Sequence, residues 1–99
     1  MTPKEKLYYL LDNYLKGSYE TKIFCDQFSI TFNIERDDSL TELEEEIFEE
    51  LSVITNRFSP YEEDLKIPGA FFNERQVREK AIETSKKLKK HGDDSPASI

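Results

Sequence analysis

This chain is poor in the residues that most enzymes and metal proteins rely on. It has one cysteine, Cys25, so no disulfide can close within it, and that usage fits a reducing compartment, the cytoplasm. Its single histidine, His91, stands near the C-terminal end, which leaves Cys–His and Ser–His–Asp constellations without a placed base. One cysteine and one histidine fall short of a structural zinc site. The three glycines do not gather into a phosphate-cradling loop. No apolar run approaches the roughly 18 residues that a membrane span needs. The opening MTPKEKLYYLL lacks a basic segment, an apolar core and a small-residue cleavage site, so no signal peptide is expected. A net charge of −7 repels nucleic-acid backbones, so direct DNA or RNA binding is not expected. No cofactor and no metal is implied.

What is present is helical pattern and charge. Ninety-nine residues suit one domain with one small core and little room for a deep substrate pocket. Thr2-Pro3-Lys4-Glu5 reads as a cap, a proline at the first helical position and a glutamate that bonds back to the cap. Leu7, Tyr8, Leu10, Leu11, Tyr14 and Leu15 follow at helical spacing, and Gly17 ends the helix. Phe24, Phe28 and Phe32, with Ile23 beside them, share one face of a second helix, expected to reach about Phe32 before a loop through NIERDD. The β-branched SITFNI favours strand locally, which leaves that end open. Ser39 or Thr41 caps a third helix with the stripe Leu40, Leu43, Ile47, Leu51, Ile54 and Phe58, widened by Phe48. Ser59-Pro60-Tyr61-Glu62 repeats the opening device and predicts a short helix with Ser59 as its cap. Asn73 to Gln76 starts the last helix, with Val77, Ala81, Ile82 and Leu88 as a thin apolar stripe. The expected architecture is all-α: a compact four-helix bundle with an additional short helix over residues 1–90, then a polar, disordered tail over 91–99.

The charge is local. Between Glu35 and Asp64 stand twelve acids and two bases, a net charge of −10, while the remaining residues are net basic. Like charges four apart, such as Glu42 with Glu46 and Glu45 with Glu49, each cost a few tenths of a kcal/mol (~0.2–0.5). Glu49 and Glu50 fall in the half of the helix where the macrodipole gives no help. Two readings follow: an ordinary solvated face, or a surface that steers a basic partner. The lysines Lys86, Lys87, Lys89 and Lys90 suit a helix C-terminus and need no function.

An enzymatic reading has one foothold. Glu45-Glu46-Ile47-Phe48-Glu49 fits the E-E-x-x-E half of a magnesium site in all-helical nucleotide pyrophosphohydrolases, where hard oxygen ligands suit that metal. The matching E-x-x-D is missing after it. The only one, Glu35 to Asp38, lies before it in an expected loop.

RFSPYEEDLKIPGAFFNERQVREK, with the opening KEKLYYLLDNYLKGSYETKIFCDQF, resembles the colicin D immunity protein-like family, the self-protective colicin-like immunity proteins. The resemblance covers roughly residues 5–82, and its most specific part is the Phe-Ser-Pro corner with the acids after it. It implies a four-helix fold and a tight complex with a toxin nuclease domain, typically RNA-cleaving, whose cleft is blocked by acidic groups standing in for phosphates. A monomeric inhibitor with no activity of its own is expected. Its candidate contacts are Glu62, Glu63 and Asp64 at the corner, and Glu45, Glu46, Glu49 and Glu50 from charge. Tyr61 is an aromatic anchor or a core residue, and Phe72 is exposed or packed, since Phe71 and Phe72 cannot both enter one core. The alternative is a non-enzymatic helical adaptor for another basic protein.

Overall fold

Three of the four main helices open on reciprocal side-chain caps, because short-range donors and acceptors were already in place in the sequence. A computed structural model describes residues 2–93, with side-chain surroundings for 2–90. Helix α1 (Pro3–Leu15) starts at Thr2, whose hydroxyl accepts from Glu5 N at 3.1 Å while Glu5 accepts from Thr2 N at 3.1 Å. It stops at Gly17, φ 87°, where Ser18 N bonds Asn13 O at 2.8 Å and Gly17 N bonds Tyr14 O at 3.0 Å. Helix α3 (Glu42–Thr55) is capped by Thr41 with Glu44 in the same reciprocal arrangement. The last helix, α5 (Glu74–Asp93), uses Asn73 and Gln76, at 2.9 and 2.8 Å.

Helix α2 (Thr21–Ile30) has no side-chain cap and does not stop where expected. It continues as a π-helical turn over Thr31–Glu35, so Asn33 to Glu35 are helical rather than loop. Core packing overrides the local strand preference here. Phe32 is buried and stacks on Phe28 with centroids 6.0 Å apart, and the Thr31 hydroxyl donates to Gln27 O at 2.8 Å.

The chain between α3 and α5 corrects a second expectation. Ser59 is not a helix cap. Its N–H bonds Phe72 O at 3.0 Å and Phe72 N bonds Arg57 O at 2.8 Å, forming an isolated parallel bridge between Phe58 and Phe72. Its hydroxyl accepts from Tyr61 N at 3.1 Å and donates to Asp64 Oδ2 at 2.7 Å. Helix α4 is the single turn Glu62–Leu65, with Tyr61 at the cap position and Pro60 outside it. The proline device was read locally, but a long-range backbone pairing fixes Ser59 first.

The result is all-α: a four-helix bundle with one extra short helix and, among the described residues, no strand. α1 packs on α2 and α5, and α3 packs on α2 and α5, the cyclic order of an up-down-up-down bundle. Tyr14, Phe24, Phe28 and Phe48 fill its centre. Tyr14 and Phe24 stack 4.2 Å apart, and Phe28 and Phe48 tilt at 5.8 Å. Two stripe residues fall outside: Leu43 is 39% exposed and Ile82 is also exposed. The buried face of α3 centres on Phe48 and Leu51, with Ser52 and Thr55 beside them, so Phe48 lies at the centre rather than the margin. On α5, buried Thr84 and Ser85 occupy the sector where Ile82 was expected. No described helix is long and apolar enough to cross a membrane. Helix α5 extends to Asp93, and residues 94–99 of the expected tail lie outside the described residues.

Candidate functional site

The acids of α3 divide into those held by the fold and those left to solvent. Glu44 belongs to the fold. It accepts from Tyr8 Oη at 2.6 Å and from Thr41 N at 2.9 Å, and it meets Lys4 Nζ at 3.1 Å with 13% of its side chain exposed. Burial pushes its pKa up, but the bonds from Thr41, Tyr8 and Lys4 outweigh that and hold it below the ordinary value. Burial first, and then the bond to Glu44, pushes the Tyr8 phenol well up. Glu50 is also engaged. It takes Lys80 at 2.8 Å and Lys87 at 2.9 Å across the α3–α5 seam, and these two bonds lower its pKa. Lys80 also pairs with Glu83. Sequence reasoning gave Lys87 no role and did not single out Lys80. Both positions become informative only when α5 is laid against α3.

Glu45, Glu46 and Glu49 are different. Together with Glu42 they have no ion pair or side-chain hydrogen bond among the described residues, and all but half-buried Glu45 are exposed. One helical ridge therefore carries four unpaired carboxylates, flanked by exposed Leu43 and Val53.

The α4 corner holds the second group. Tyr61 is 66% exposed, which excludes the core role left open for it. Glu62 and Glu63 are exposed and unpaired among the described residues, whereas Asp64 is tied to Ser59. No side chain of α4 is buried, so the turn does not contribute to the core. Its backbone is nevertheless held at both ends, by the Phe58–Phe72 bridge and by the Ser59 hydroxyl. Ile67 and Phe71 are exposed on the same excursion. Phe72 is half-buried and lines a shallow groove of about 290 Å³ with Ile54, Gln76 and Lys80. Of the consecutive pair, Phe71 is the more exposed.

The structure thus brings Tyr61, Glu62 and Glu63 together on one turn. It leaves Glu45, Glu46 and Glu49 on a separate ridge of α3 and assigns Glu50 and Asp64 to internal bonds. Two of the three acids of the E-x-x-D segment are likewise engaged. Glu35 pairs with Lys6 at 3.0 Å, and Asp37 accepts from Ser39 N at 2.9 Å. Among the described residues, no three of Asp, Glu, His and Cys converge as a metal-binding group. The Cys25 thiol is buried, and burial first, then Asp26, pushes its pKa up to about 12. What these surfaces offer chemically is fixed negative charge beside exposed apolar side chains. Comparison with protein-family models, with curated proteins and with solved structures finds no match for this chain.

Proposed function

We propose that this chain is an immunity-type inhibitor. It docks its acidic surface onto the basic active-site cleft of a toxin nuclease and excludes the RNA substrate. One observation carries the reading. After the internal pairs of Glu44, Glu50 and Asp64 are set aside, Glu42, Glu45, Glu46, Glu49, Glu62 and Glu63 remain without partners among the described residues. Like charges left together oppose folding, so their retention is better explained by an external basic surface. The resemblance of the Phe58-Ser59-Pro60 corner to the colicin D immunity-like proteins points the same way. The exposed Tyr61 beside Glu62 and Glu63 supplies the aromatic anchor and charged rim that interface centres favour. Binding starts with electrostatic steering and ends with desolvated contact at the corner.

The reading expects a basic nuclease domain encoded beside this chain in its source genome, and the test uses that domain. Mixed in equal amounts, the two purified proteins should form a complex that no longer cleaves RNA. The Glu62→Lys, Glu63→Lys double variant should keep its helical circular dichroism and inhibit at least ~10-fold more weakly, about 1.4 kcal/mol or more. Unaltered cleavage in the presence of wild-type chain rejects inhibition and leaves the adaptor reading, in which the same acids meet another basic protein.

A further inference from the structure

The excursion between α3 and α5 is held differently from the bundle that carries it. From Pro60 to Phe71 no residue is buried. The main helix packings join α1, α2, the π-helical turn, α3 and α5, without α4. The backbone bonds inside the excursion are long: Leu65 N to Tyr61 O at 3.3 Å, Lys66 N to Glu62 O at 3.2 Å, Ile67 N to Asp64 O at 3.1 Å and Ala70 N to Ile67 O at 3.3 Å. A four-residue helix with no buried side chain is far below the ~12–15 residues that an isolated helix needs, and no packed face compensates. Its two ends are anchored. Ser59 is 4% exposed, and the bonds from Ser59 N to Phe72 O and from Phe72 N to Arg57 O, at 3.0 and 2.8 Å, are shorter than any inside the excursion.

One side chain fastens the excursion to its anchored end. The Ser59 hydroxyl donates to Asp64 Oδ2 at 2.7 Å and accepts from Tyr61 N at 3.1 Å. The carboxylate acceptor makes the first bond charge-assisted, about twice as strong as a neutral one. Among the described residues, no other side-chain hydrogen bond or ion pair ties residues 60–71 to the chain.

We propose that residues 60–71 open and close as one unit on an intact bundle, hinged at the Phe58–Phe72 bridge, with the Ser59–Asp64 bond as the latch. A segment with few buried contacts and exposed backbone bonds opens at a lower free energy than the core it is attached to. Opening hands those bonds to water and leaves the bundle's own packing untouched. Only the closed form sets Tyr61, Glu62 and Glu63 on one turn. A partner that takes the three together therefore binds the closed form, and its affinity falls in proportion to the fraction open. Ser59 and Asp64 are thus positioning residues for the corner. The inference does not depend on the inhibitor reading, because hinge and latch are internal to the chain and are tested without a partner.

Native-state hydrogen exchange of the full-length chain, read amide by amide by NMR, tests the proposal. Leu65, Lys66, Ile67 and Ala70 should share one opening constant, at least ~100-fold larger than those of the buried Phe28 and Leu51. The hinge amides of Ser59 and Phe72 should stay better protected than these four. Ser59→Ala should raise the shared constant at least ~10-fold, as expected for loss of a bond to a charged acceptor. The same change should leave Phe28, Leu51 and the urea midpoint as they are. Asp64→Ala should act in the same direction, and adding it to Ser59→Ala should change little more, because both remove one bond. Protection of the four amides equal to that of Phe28 overturns the proposal. So do four unrelated constants, or amides with no protection in wild type, which would mean that no closed form exists. Latch variants that leave the excursion unchanged, or that loosen the bundle to the same extent, overturn it as well.

Discussion

Glu44 shows how one side chain can be acidic in composition yet structural in use. Its carboxylate joins the start of α1 to the start of α3 through Lys4, Tyr8 and Thr41. Replacing it with glutamine removes the charge from a partly buried site and weakens three bonds. Glu44→Gln should therefore destabilise the fold by about 1–3 kcal/mol, read as a lower urea midpoint at pH 7. The pH dependence follows from the direction of the shift. Glu44 and Glu50 both lie below the ordinary 4.5 when folded. Their contribution is fully present above that value and is lost as pH falls through the depressed folded values. The urea midpoint should fall on acidification below about pH 4.5, and less steeply in Glu44→Gln than in wild type. Cys25 supplies a second check at this scale. With its thiol held up to about 12 by burial, a thiol reagent at pH 8 should label it far more slowly in the native protein than in urea. Equal rates would mean that α2 opens on the timescale of labelling.

At the scale of elements, legibility in the sequence followed the range of the interaction. Thr2 and Asn73 were readable as caps, and Thr41 as one of two candidates with Ser39, because each bonds a residue three places away. The phenylalanine face of α2 was readable because four-residue spacing fixes a helical face. Ser59 was misread because its partner Phe72 stands thirteen places on, and no local pattern announces that pairing. The internal bonds of Glu50 were illegible for the same reason, since Lys80 and Lys87 come from another helix. The exposed acids were legible as composition, but not which of them the fold would engage. Gly17 and Asn73 offer matched tests of the local signals. An added Cβ at Gly17 meets no atom within 4 Å, so Gly17→Ala isolates the backbone cost of φ 87°. It should cost about 1 kcal/mol. Asn73→Ala removes a cap and should also cost about 1 kcal/mol. A negligible change at Gly17 in urea denaturation would show that the α1–α2 turn relaxes without the left-handed residue.

For the molecule as a whole, the acidic ridge sets stability against association. Glu42, Glu45, Glu46 and Glu49 stand three and four apart along α3, where like charges repel, and none of them forms an ion pair among the described residues. If these acids serve a partner, removing them should help the free protein and harm binding. The Glu45→Gln, Glu46→Gln, Glu49→Gln variant should melt higher than wild type, by the several tenths of a kcal/mol to about 1 kcal/mol expected for relieved i,i+4 repulsion. Its melting temperature should also respond less to added salt, since salt screens the same repulsion in wild type over a Debye length of about 10 Å at 0.1 M. With a basic nuclease, the same variant should associate more slowly, and its on-rate should depend less on salt while its dissociation changes little. Scanning calorimetry and stopped-flow binding on one preparation read both effects. Opposite signs are the signature of charge retained for a partner. A variant that melts lower would mean that the ridge supports the fold through contacts of its own, and the partner surface would then contract to Tyr61, Glu62 and Glu63 on α4.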